Sequence, residues 1–197
     1  TPDNDAVGDL SVAVVLTDKA GSSAVDNFDI TVTNTNDTPE IVAGLTAQTV
    51  NEDATFSLLT GSFFKDVDLD DVLKYSGQLT SGASLPTWLT IDRDSGNLTG
   101  TPTNGDVGVI SVAVTATDLA GAKKSQSFNI TVVNTNDAPV VDVLHALADT
   151  SVDEDSVLNL PTVQAFNDVD AGDTRSFSAN LSDGSALPAW LTIDTTT

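Results

Sequence analysis

The chain has no cysteine, so no disulfide braces it, and packing or metal must do that work instead. The absence leaves the compartment open. Basic residues are scarce too: 7 against 29 acidic in 197 residues, a formal charge of −22. Nucleic acid and anionic membrane surfaces share that sign and are not expected as partners. No apolar run reaches transmembrane length, so membrane insertion is not expected either. Residues 1–25 lack a basic-then-apolar leader pattern, which carries no information if the chain starts inside a repeat. Histidine occurs once, at His145, with no nucleophile motif beside it, and reads as a surface or strand residue; no enzyme is expected. Aromatic residues are 5% of the chain, few for both a core and an exposed stacking platform.

What the chain does have is 40% apolar residues in alternating runs, which argues against a disordered acidic segment. Self-similarity then sets the organisation. Residues 8–39 recur at 108–139, an offset of 100, and residues 63–92 recur at 166–194, offset 102 from Asp-Val-Asp onward. With a period of about 101, one unit runs from end to end at 38–138. Residues 1–37 read as the second part of a preceding repeat, and 139–197 as the first part of a following one. The chain reads as a window on a longer polypeptide. Completion of each end by a neighbouring molecule through strand complementation stays open.

Each unit reads as all-β. Ile110, Val112, Val114 and Ala116 alternate on one face, as do Leu10, Val12, Val14 and Leu16. Phe128, Ile130 and Val132 repeat Phe28, Ile30 and Val32. Ala-Gly at 120–121 and Ser-Gly at 95–96 mark turns, residues 96–100 form a further strand, and no 3.6-residue period persists. About seven short strands per hundred residues is the pattern of an immunoglobulin-like β-sandwich. Trp88 and Trp190, each in a Leu-Pro-x-Trp-Leu-Thr-Ile-Asp stretch, are expected in the core.

The acids recur with the repeat, at strand ends and in loops. Asn34 to Pro39 and Asn134 to Pro139 fall between sandwiches; Asn51-Glu52-Asp53 and Asp153-Glu154-Asp155 follow soon after each unit begins. Asp66-Val67-Asp68 and Asp168-Val169-Asp170 place two carboxylates on one side of an extended segment, about 7 Å apart. Asp118 ends a strand, as does Asp18. Carboxylates so gathered repel unless a cation sits among them, and an all-oxygen set without His or Cys selects Ca2+ over zinc or copper.

These motifs together resemble cadherin repeats: the Asn-Thr-Asn-Asp-(Thr/Ala)-Pro linker, Asp-Val-Asp, the strand-terminal Thr-Asp-(Lys/Leu)-Ala-Gly and the Asn-Glu-Asp. The run from Leu85 to Gly108 is similar to the dystroglycan-type cadherin-like repeat of large bacterial adhesins. The resemblance implies tandem immunoglobulin/cadherin-like sandwiches joined end to end at calcium-binding junctions. At the first it implies Asn36, Asp37, Asp66, Asp68 and Asp118. At the second it implies Glu52, Asn136, Asp137, Asp168 and Asp170, with Thr35 and Thr135 lending carbonyls. Where cadherins usually carry Asp-Arg-Glu this chain has Thr103-Asn104-Gly105-Asp106, so fewer than three ions per junction are expected. Asp106 reads equally as a substitute ligand or a turn cap.

The function expected is a calcium-dependent extender of an extracellular or cell-surface protein. Its partners would be calcium and neighbouring repeats of the same or like chains. The alternative is a module binding carbohydrate, surface proteins or its own kind.

Overall fold

A computed structural model describes residues 1–68, 70–170 and 172–195. It divides into two compact units, Thr1–Val133 and Asn134–Thr197. No α-helix occurs among the described residues, and no helix is long and apolar enough to cross a membrane.

The first unit opens on a hairpin of β1 (Gly8–Thr17) and β2 (Ser23–Val32), paired antiparallel from Gly8↔Val32 to Thr17↔Ser23. There follow β3 (Glu40–Ile41), β4 (Gln48–Asn51), β5 (Phe56–Leu59), β6 (Phe64–Lys65) and β7 (Lys74–Leu79). Next come β8 (Leu89–Ile91), β9 (Asn97–Gly100), β10 (Gly108–Thr117) and β11 (Lys123–Val133). One sheet runs β4-β11-β10-β7, with β4 parallel to β11. A second runs β5-β9-β8, and β3 pairs with β6 beside it. This is the expected two-sheet sandwich, and the strand foreseen at 96–100 is β9.

Alternation puts one face of each strand inward. Val112, Val114 and Ala116 of β10 and Ile130 of β11 are fully buried, and Phe128 and Val132 nearly so. They meet Phe56, Leu89 and Leu98 from the opposite sheet, and Phe64 of β6. Burying each such Val, Leu, Ile or Phe contributes about 1.5–3 kcal/mol. Trp88 packs at the core's edge, its ring 6.4 Å from Phe56 and edge-on to it. That close approach needs Gly100, where a Cβ would collide with the Trp88 carbonyl.

The β1–β2 hairpin has the same alternation with a different outcome. Leu10, Val14, Leu16, Phe28 and Ile30 are 41–76% exposed, although their counterparts in β10–β11 are buried or half-buried. The reason is positional: in the complete sandwich that face packs on Phe56, Phe64, Leu89 and Leu98, and residues 1–37 hold no counterparts of these.

The second unit contains β12 (Val140–Val141) and β13 (Phe166–Asn167), an antiparallel pair matching β3 and β6. Trp190 is 69% exposed there, correcting the expectation of a core position. Its counterpart Trp88 packs on Phe56 and against Gly100 of β9, and residues 139–197 include no counterpart of β9.

Candidate metal centre

The site in the first unit hangs on the ends of core strands. Burial of Phe64 fixes β6, and residues 66–71 leave directly from it. Burial of Ala116 and its neighbours fixes β10, and Asp118 follows its last residue. The linker residues Asn36 and Asp37 approach from the chain leading into β3.

Beyond Asp-Val-Asp the chain turns back. The Asp68 N–H donates to Asp66 Oδ1 at 2.9 Å, and the Asp71 N–H donates to the Asp68 carbonyl at 3.3 Å. The turn passes through Asp70 at φ 65°, in the left-handed region that Asp tolerates better than most residues. Gly172 holds the equivalent place in the second unit at φ 89°. The turn brings round a carboxylate that sequence reading missed. One oxygen each from Asp66, Asp71 and Asp118 lie within 4.8 Å of one another.

Asp118 is 5% exposed. Its Oδ1 accepts the Ala122 N–H at 2.7 Å, closing the loop before β11, and its Oδ2 faces the Asn36 amide at 3.1 Å. Loss of water pushes the Asp118 carboxyl up. Hydrogen bonds from Asn36 and from the N–H groups of Ala122, Gly121 and Ala120 outweigh that and hold it below its ordinary value. An ionised carboxylate only accepts, so Asn36 presents its NH2 to Asp118, leaving Oδ1 for a cation. Asp71 Oδ1 accepts the Leu119 N–H at 3.0 Å, tying the two loops together.

Asp68 is 8% exposed. Its Oδ2 accepts the Asp37 N–H at 2.7 Å. Its Oδ1, and Asp66 Oδ2, are buried with no hydrogen-bond partner. A buried carboxylate oxygen without a donor is costly, and two beside further carboxylates more so. A hard cation removes that cost, and the oxygen-only donor set fits calcium. The residues present therefore fit the ion that the sequence pattern implies: Asp66, Asp68, Asp71, Asp118 and Asn36 would hold it.

The second unit repeats the arrangement. The Asp170 N–H donates to Asp168 Oδ1 at 3.0 Å, and the Asp137 N–H donates to Asp170 Oδ2 at 2.8 Å. Asn136 Nδ2 donates to the Asp137 carbonyl at 2.9 Å. Asp168, Asp170 and Asp173 offer oxygens within 4.8 Å of one another. Asp173, like Asp71, was not foreseen, though the signal existed: a third acid recurs at the same offset of 102.

Two further expected ligands are Glu52 and Asp106. Glu52, expected at the second junction and not in the Asp66 group, follows β4 in the first unit, buried, with its N–H donating to the Val133 carbonyl at 3.0 Å. Asp106 caps a short 3-10 turn at Asn104–Asp106. Its Oδ2 accepts the Thr103 N–H at 2.9 Å and the Thr103 hydroxyl at 2.8 Å.

Two antiparallel-rich sheets, with acid-bearing loops at one end and a linker threaded between them, define a β-sandwich repeat of the immunoglobulin and cadherin type. Residues 38–133 and 138–197 match the family described as "Putative Ig domain", and the chain belongs to it. No curated protein matches. Among solved structures it is similar to human mucin-like protocadherin EC1-2, with a TM-score of 0.55 and 19% identity over 68% of this chain and 72% of that one. Protocadherin gamma B2 domains 3–6 align with a TM-score of 0.53 and 18% identity, over 74% of this chain and 37% of that one. The protocadherin gamma B4 extracellular domain aligns with a TM-score of 0.53 and 20% identity, over 74% and 25%. The chain thus spans well under half of those last two chains, and likeness at such identity speaks for the fold.

Proposed function

We propose that this chain is part of a calcium-braced array of extender repeats in an extracellular or cell-surface protein. The repeats divide at 1–37, 38–138 and 139–197. Calcium and the neighbouring repeats of the same or like chains are its partners, and it performs no catalysis. The observation that carries the reading is the pair of buried, donor-less oxygens, Asp66 Oδ2 and Asp68 Oδ1, beside Asp71 and Asp118. Nothing in the fold's interior needs four acids there; a cation does. The linker's Asn36 and Asp37 bond into the same loops, so an ion held there stiffens the connection between consecutive repeats. In such arrays stability is roughly a sum of unit and junction contributions. The carbohydrate-binding reading gains no support from the complete sandwich, where Trp88 packs against Phe56.

The test is calcium titration of the 197-residue chain by calorimetry, with small-angle scattering and thermal melting in calcium and in chelator. Bound calcium, a higher melting temperature and a narrower spread of conformations are expected. Identical melting and scattering in both conditions would sink the proposal.

A further inference from the structure

The first junction contains a second acidic cleft that behaves differently from the Asp66 site. Asp3, Asp5, Asp37 and Glu40 line it, with Asn4 among them. In the first unit the described acids include one group whose oxygens converge within 4.8 Å, and it is Asp66, Asp71 and Asp118, not these. Instead, Asn4 Nδ2 donates to Asp37 Oδ2 at 3.0 Å. Since that carboxylate oxygen only accepts, the group Asn4 turns toward it is the NH2. An amide donor on this lone pair supplies positive charge density to an Asp37 carboxylate on which, unlike Asp118, no two further described carboxylates converge within the first unit.

The two residues are 33 apart in sequence and belong to different structural parts. Asn4 opens the 3-10 turn preceding β1, whereas Asp37 lies in the linker after β2. The contact therefore pins the linker back onto the preceding hairpin, while the Asp37 N–H pins it forward onto Asp68 Oδ2. The position equivalent to Asp106 is Ala6, so no acid there competes for the role, and Asn recurs at the equivalent position 104.

We propose that Asn4 is a metal-independent clasp that takes the place of a cation on Asp37. The first junction then binds a single calcium ion, at Asp66, Asp68, Asp71, Asp118 and Asn36. This inference rests on the calcium reading above and fixes its stoichiometry at this junction.

Native mass spectrometry of the full chain in calcium counts bound ions for wild type, Asp66→Asn/Asp68→Asn and Asn4→Asp, each checked for folding by circular dichroism. The double variant should lose one calcium ion per chain. Asn4→Asp, which turns the clasp into a ligand, should gain one. Loss of two or more ions in the double variant, or an unchanged count in Asn4→Asp, would overturn the clasp while leaving the calcium reading standing. A wild-type chain that binds no calcium would instead remove the reading beneath it.

Discussion

Replacing Asp71 with Asn should stabilise the chain in chelator and destabilise it in calcium, a change of sign that few other mechanisms produce. Oxygens of Asp66, Asp71 and Asp118 lie within 4.8 Å of one another. Two unit charges at that distance repel by about 0.9 kcal/mol at the dielectric constant of water. Screening at physiological ionic strength, with a Debye length of about 8 Å, leaves roughly half. Asp71 takes part in two of the three pairs, so its neutralisation relieves about 1 kcal/mol without metal. For a domain of this size that raises the melting temperature by roughly 4–8 °C. The Asn carbonyl can still accept the Leu119 N–H that Asp71 Oδ1 accepts now, so the loop connection survives. In calcium the same change removes a charged ligand, and a tenfold loss of affinity costs about 1.4 kcal/mol at saturating ligand. The assay is differential scanning calorimetry of both proteins at matched ionic strength, with calcium and with chelator. If Asp71→Asn melts lower than wild type in chelator, or shifts equally in both conditions, the Asp66–Asp71–Asp118 grouping is not a cation site.

The repeat supplies an internal control for core packing. Ile130→Ala, at a fully buried position, should cost about 2–5 kcal/mol, whereas Ile30→Ala at the 41%-exposed counterpart should cost well under 1 kcal/mol by denaturant titration. Equal costs would mean that the hairpin face is covered. The turn between β8 and β9 should show acid sensitivity. Hydrogen bonds from the Ser95 N–H and hydroxyl hold Asp92 below its ordinary carboxyl value. A depressed folded pKa gives stability that is present above the unfolded value and lost as pH falls through the folded one. The melting-temperature gap between wild type and Asp92→Asn should therefore be widest near neutral pH and close in acid, and a gap independent of pH would refute that account.

The sandwich was legible because its signal is periodic. Val112, Val114 and Ala116 alternate with less buried neighbours, and two copies at a fixed offset made the strands hard to misplace. Legibility failed where burial depends on what lies opposite. Phe28 and Phe128 occupy the same place in the repeat, yet one is 48% exposed and the other 6%. Trp190 and Trp88 part for the same reason. In the site, Asp66, Asp68, Asp118 and Asn36 were readable as acids and amides at strand ends. Asp71 and Asp173 were not, since the turn that brings them round follows Asp-Val-Asp. The Asp68–Asp71 turn through a positive-φ residue is a local event that alternation cannot reveal. Asp106 stood undecided between ligand and cap because both uses ask for the same carboxylate at a turn. The Thr103 N–H and hydroxyl now account for its Oδ2.

Site and core divide the energetics between them. Phe64 and Ala116 are buried by apolar contacts that no metal touches, and they fix the strand ends from which Asp66 and Asp118 depart. The carboxylates therefore converge because the sandwich places them, not because an ion gathers them. Chelation should then leave the β4-β11-β10-β7 sheet intact while loosening the bonds of Asn36 and of the Asp37 N–H to site carboxylates, with the Asp37 side chain still held by Asn4. Repulsion among acids that the core holds in place acts on the part able to move, which is the linker. Under the proposed function, an acidic site at a strand end, rather than inside the sandwich, would let calcium set the stiffness of the connection without being required for the fold.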